Sequence, residues 1–219
     1  MFFSFFMTNA TGARHFHAYF SGGADMSPMS IEDKRYLLQL ARSVILDHLG
    51  EKTPRSLPER NPPAFMEKRG CFVTLHANSQ LRGCIGIIEP IKTLLSGVKE
   101  NAIHAGFHDP RFSPVTLQEM EHITIEISIL TKPVPLSYQN PDDLKKRLKP
   151  GVHGVILSQG YYRATFLPQV WEQLPGTEDF LEHLCRKAGM GKTCWKETET
   201  AVEVYEVSVF SEKDMNRNL

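Results

Sequence analysis

A chain of 219 residues in which 25 Lys and Arg are balanced by 25 Asp and Glu carries no global field that would steer it towards nucleic acid or an anionic membrane. Its 41% hydrophobic and 23% charged residues belong to a globular protein able to bury its own core, which excludes a disordered or fibrous chain. Four cysteines, at 71, 84, 185 and 194, include no C-x-x-C pair, so a zinc ribbon and a thioredoxin-type motif are excluded and four free thiols in a reducing cytoplasm are expected.

The start, MFFSFFM, is apolar but too short to span a bilayer, and no N-terminal positive charge marks it as a signal peptide. Residues 1–25 show neither a helical nor a strand period, and are expected to precede the folded domain, residues 26–219, as a mobile extension or a non-native start. Ser30-Ile31-Glu32-Asp33 fits a capping box, and Leu37, Leu40, Ala41, Val44 and Leu49 then recur near the helical period until Gly50. Four prolines between residues 51 and 63 prevent a regular element and predict a surface connection.

Two strand-like runs, residues 71–76 and 81–88, flank Ala77-Asn78-Ser79-Gln80, which predicts a hairpin with a four-residue loop. A helix is expected over residues 91–106, followed by a tight segment, His108-Asp109-Pro110-Arg111-Phe112-Ser113-Pro114. Ile123, Ile125, Ile127 and Ile129 alternate with Thr124, Glu126 and Ser128, the strongest strand signal in the chain. Asn140 can cap a short helix that has Pro141 at its first position and Asp142 and Asp143 in its first turn. A second hairpin is predicted around Gln159-Gly160, a helix over residues 177–187 stopped by Gly189, and one last strand over residues 202–210. Hairpins mixed with separated helices imply an α+β fold built mainly on antiparallel sheet.

Residues 81–86, Leu-Arg-Gly-Cys-Ile-Gly, pose the functional question. Strand alternation puts Arg82, Cys84 and Gly86 on one face, with Arg82 and Cys84 about 7 Å apart at their Cα atoms. Convergent side chains would let the guanidinium favour the thiolate, and Gly86 would leave the sulfur open. The competing reading is a buried cysteine beside glycines that only admit a neighbouring side chain. In the second cluster, Arg111 offers a planar fork to a carboxylate or phosphate; alternatively Asp109 caps a turn and Arg111 pairs with an acid. His104 and His108 share a helical face, but no third ligand is set by spacing and no metal is expected. His153, in Gly151-Val152-His153-Gly154, is either solvent-facing in a turn or a ring placed in a cleft. No P-loop or dinucleotide fingerprint is present, so the sequence names no cofactor. Trp171, Phe180, Leu181, Leu184, Cys185 and Trp195 are expected in a core.

Six motifs in order, Gly-Cys-Phe-Val-Thr-Leu (70–75), Leu-Arg-Gly-Cys-Ile-Gly (81–86), Asp-Pro-Arg-Phe (109–112), His-Gly-Val (153–155), Leu-Pro-Gln-Val (167–170) and Phe-Leu-x-x-Leu-Cys-x-x-Ala-Gly (180–189), resemble the AMMECR-one domain family, called AmmeMemoRadiSam system protein A in prokaryotes. The resemblance spans roughly residues 30–212. It implies a larger and a smaller intertwined subdomain with flanking helices, the Leu-Arg-Gly-Cys-Ile-Gly segment bordering a cleft between them. It also implies association with a Memo-like protein and a radical S-adenosylmethionine protein. The resemblance implies no activity; from the residues themselves the first expectation is an enzyme or enzyme component with Cys84 as nucleophile or redox thiol and His153 as a proton carrier. Arg82, Gly83, Gly86, Asp109, Arg111 and Gln169 would contact an unknown substrate. The alternatives are a non-catalytic ligand-binding or adaptor module and, with no support from net charge, a participant in nucleic-acid base modification.

Overall fold

The computed structural model describes residues 29–51, 57 and 60–216; the expected leader and part of the proline-rich connection lie outside them. Among the described residues no helix is long and apolar enough to cross a membrane. The described residues fall into two compact units, one of those up to Leu130 together with those from Ser208 onwards, the other Thr131–Val207.

The first unit begins with α1 (Ile31–His48), where the Ser30 hydroxyl accepts a 3.1 Å hydrogen bond from the Asp33 N–H as the capping pattern requires. A single turn, α2 (Pro63–Met66), precedes β1 (Cys71–Ala77) and β2 (Gln80–Ile87). Then come α3 (Leu94–Phe107), a 3-10 turn at Gln118–Glu121 and β3 (Ile123–Leu130). After the second unit the chain returns as β8 (Val207–Ser211) and α6 (Glu212–Asn216). The sheet order is β2-β1-β3-β8, with β1 antiparallel to both β2 and β3. The predicted alternation places Ile123, Ile125, Ile127 and Ile129 in one core with Val73 and Leu75 of β1, Leu37, Ala41 and Ile45 of α1, and Val98 and Ala102 of α3. Phe72, Thr74 and His76 alternate with these onto the opposite face.

Three expectations change here. The hairpin loop is two residues long, because Ala77 pairs with Gln80 and the central Asn78 and Ser79 take φ of 51° and 66°, the left-handed pair that matches strand twist in a tight hairpin. The register then slips: Leu75 faces Gly83 while His76 faces Leu81, so Arg82 is the extra residue of a bulge. Helix α3 starts at Leu94 rather than at 91, because the Thr93 hydroxyl caps it, accepting from the Ser96 N–H.

The second unit contains β4 (Val134–Pro135), α4 (Pro141–Arg147), β5 (Gly154–Gln159), β6 (Tyr162–Phe166), α5 (Thr177–Lys187) and β7 (Ala201–Tyr205), with 3-10 turns at Pro168–Glu172 and Cys194–Lys196. Its sheet runs β4-β7-β5-β6, all pairs antiparallel. Asn140 caps α4 through the Asp143 N–H, and Gly189 follows α5 at φ 80°. Trp171 stacks on Phe180 at 3.6 Å within a core that includes Leu181, Leu184 and Trp195.

The expected four free thiols are reduced to two, Cys71 and Cys84, because Cys185 and Cys194 form a disulfide between the end of α5 and the following 3-10 turn. The expected single strand over residues 202–210 is two strands in different sheets, parted at Glu206. There the Glu206 N–H donates to the Thr131 hydroxyl and the Thr131 N–H to the Glu206 carbonyl, each at 2.9 Å, which takes the strand out of its first ladder. The described residues form an α+β fold of two four-stranded sheets with helices.

Candidate functional site

Cys84 sits on β2 opposite Thr74 of β1, and its Sγ lies 3.1 Å from the Thr74 hydroxyl. Only 5% of the residue is exposed. Burial pushes the thiol up to about 11; the Thr74 hydrogen bond and the Arg111 charge pull it down by less, while Glu126 and Asp109 push the same way as burial. At neutral pH the sulfur is therefore a protonated thiol.

Arg82 does not activate it. As the bulged residue it leaves the alternation, and its guanidinium is bonded instead to Glu119 by Nε at 2.9 Å and Nη2 at 3.2 Å, with a longer contact to the Pro114 carbonyl. The bond from Arg82 holds the Glu119 carboxyl down at about 2. The expectation of a guanidinium-stabilised thiolate is thus overturned by one extra residue in the strand. Among the described residues Arg82 Nη1 is buried without a hydrogen-bond partner.

Asp109 and Arg111 do meet Cys84, through its backbone. Asp109, whose side chain is 2% exposed, accepts from the Cys84 N–H at 2.9 Å and from the Arg111 N–H at 3.1 Å. The Arg111 guanidinium grips both of its carboxylate oxygens, at 2.9 and 2.6 Å, and reaches the Cys84 carbonyl at 3.4 Å. Burial alone would raise the Asp109 pKa, but the Arg111 bond and the two backbone donors outweigh it and hold the carboxyl below its usual range. Phe112 carries both guanidinium groups near its ring, Arg111 at 5.4 Å and Arg82 at 5.8 Å.

Neither glycine opens the sulfur to a ligand. A Cβ on Gly83 would fall 2.1 Å from the Ala105 carbonyl oxygen of α3, and one on Gly86 would fall 2.3 Å from the Phe72 ring. Close approach of helix and ring, not of substrate, accounts for both. The Cys84 amide, which would serve a developing negative charge, is committed to Asp109.

Across the sheet, Thr74 pairs with Cys84 on one side and with Glu126 of β3 on the other, so Cys84, Thr74 and Glu126 form one row on one face. Burial, with repulsion from Asp214, raises the Glu126 carboxyl to about 7 although 30% of the side chain is exposed. His76 Nε2 stands 4.0 Å from it, and burial followed by the Lys213 charge lowers the His76 pKa. Sequence reasoning did not assign Thr74, Glu119 or Glu126 to the site. The available signal was Glu126 itself, an acid in the middle of the isoleucine alternation.

His153 and Gln169 belong to the second unit rather than to this cluster's unit. His153 is buried, not solvent-facing; its Nδ1 accepts from the Lys149 N–H at 3.2 Å and its carbonyl accepts from the Trp171 indole at 2.8 Å. Burial and the Lys149 charge lower its pKa, which keeps the ring neutral. Gln169 lies in the 3-10 turn after β6, and its Oε1 is buried without a partner among the described residues. His104 and His108 meet edge to face at 5.3 Å, and among the described residues no three His, Cys, Asp or Glu side chains converge as metal ligands.

Residues 38–210 match the model of the AMMECR1 family. The chain belongs to the AMMECR1 family. Protein MJ0810 of Methanocaldococcus jannaschii is 40% identical over 194 residues, covering 85% of this chain and 94% of the relative. Protein Ta0236 of Thermoplasma acidophilum is 39% identical, with 81% and 86% covered. The crystal structure of the uncharacterized protein PH0010 from Pyrococcus horikoshii superposes with a TM-score of 0.69 at 35% identity, over 81% of this chain and 90% of that one. Within this AMMECR1 chain the matched region includes both the Cys84 row and the Asp109–Arg111 clamp.

Proposed function

We propose that this AMMECR1-family chain is a non-catalytic binding or adaptor component that works with a Memo-like protein and a radical S-adenosylmethionine protein, whose cofactors carry the chemistry. The observation behind this reading is the state of Cys84. Its sulfur is a buried, protonated thiol hydrogen-bonded to Thr74, and its amide is spent on Asp109. A nucleophile needs the opposite environment, a lowered pKa and a free approach. The test replaces Cys84 with serine in the full chain. Unchanged capture of both partners together with unchanged pathway output supports binding; intact capture with lost output defeats it.

A second reading keeps Cys84 as the reacting group, and one observation favours it. Glu126, two strands away in the same row, holds a carboxyl that changes charge near neutrality, as a proton acceptor would. Alkylation of the native protein by iodoacetamide across pH separates the two. A reactivity midpoint near 11 fits the binding reading, whereas a midpoint at or below the free-cysteine range establishes an activated thiol.

A further inference from the structure

Away from the Cys84 row, the first unit carries an open groove of about 400 Å³ between α1, the start of β3 and α6. That volume lies in the range of roughly 300–1,000 Å³ in which small molecules are bound. Leu38 and Ile123 lie behind the lining, both nearly inaccessible, so the apolar side chain it offers is the partly exposed Met215.

The walls are pinned by a single pair. Arg42 donates to both oxygens of Glu212 at 2.6 Å and to the Met120 and Ile123 carbonyls, while Glu212 also accepts from the Ile125 N–H at 2.8 Å. Helix α1, strand β3 and helix α6 are thereby fastened together before any ligand arrives, which lowers the ordering cost of binding. The same pair cancels its own charge. Two cations in the lining are then left over. Arg35 makes no hydrogen bond or ion pair among the described residues, and Lys213 donates only to the neutral Ser79 hydroxyl, at 3.0 Å. The adjacent acid, Asp214, is turned to the Ser211 N–H and hydroxyl.

We propose that this groove binds a small organic carboxylate, its anionic head between Arg35 and Lys213 and its apolar body against Met215. Gln39 and Thr124, also in the lining, supply neutral hydrogen-bonding groups beside the head. A bare inorganic anion would leave Met215 uncovered, and an uncharged alkyl chain would leave both cations unmatched.

Hexanoate, hexanol and inorganic phosphate, each titrated calorimetrically into the full chain at low salt, test the assignment. Hexanoate should saturate one site, with hexanol and phosphate at least tenfold weaker. Arg35→Gln and Lys213→Gln should each weaken hexanoate about fivefold, the effect of one partly exposed charge. Gln39→Trp, at an exposed position, should fill the space and abolish binding with both charges in place. Equal binding of hexanol, equal or tighter binding of phosphate, no hexanoate binding, or indifference to all three substitutions would each overturn the proposal.

Discussion

The Asp109 carboxylate accepts a 2.9 Å hydrogen bond from the Cys84 amide while both of its oxygens hold the guanidinium of Arg111. One acid thus ties the loop after α3 to the middle of β2. The bond is buried on the Asp109 side, and Arg111 is 24% exposed.

Asp109→Ala leaves the arginine and a buried amide without their acceptor. It is expected to destabilise the protein by about 3 kcal/mol, since breaking a buried pair from one side costs more than the pair itself contributes. Urea denaturation measures this. Combining it with Arg111→Met should cost less than the two single effects together, as coupled partners do; strict additivity would show that the clamp is not one unit.

Gly83→Ala places a methyl group against the Ala105 carbonyl oxygen, which belongs to a helix backbone and cannot swing aside. A loss of about 2–3 kcal/mol is expected, within the range for overpacking a core contact. Thermal unfolding reads it directly, and an alanine variant as stable as the parent would mean that α3 and β2 are not in such close contact.

Glu126 supplies a pH signature. Its carboxyl is raised in the folded chain to about 7 from 4.5, so the native state keeps a proton that the unfolded state releases. The contribution to stability is complete below 4.5 and is lost as the pH rises to about 7. Glu126→Gln should therefore stabilise the protein by about 1–2 kcal/mol at pH 8, after discounting for partial exposure, with the advantage vanishing near pH 4. Equal stability of the two proteins across that range would place the carboxyl in water.

The Cys185–Cys194 bridge closes a short loop around Gly189. Its removal by Cys194→Ser is expected to cost about 2–3 kcal/mol. Mass spectrometry of unreduced, alkylated protein under denaturing conditions should find two modified cysteines, 71 and 84; four would show the bridge to be open.

What was legible in the sequence is whatever depends on near neighbours. The Ser30 and Asn140 caps, the two faces of β3 and the extent of α5 follow from spacing within a few residues. What escaped depends on partners far along the chain. The bulge that removes Arg82 from the Cys84 face is a matter of register against β1, and Glu119, which captures Arg82, lies 37 residues on. The strand over residues 202–210 reads as one because its residue types continue across Glu206; the break is decided by Thr131, 75 residues earlier. Alternation along a strand is a local rule, and one inserted residue is enough to reverse its conclusion about which side chains share a face.

The paired bonds between Thr131 and Glu206 bring together the two ends of the second unit's chain. Joining β3 to β8, neighbours in a single sheet, would otherwise require closing a very long loop. With the intervening residues folded on themselves and their two ends clasped, the first unit meets that connection as it would a tight turn, and its topology becomes far more local than its residue numbers suggest.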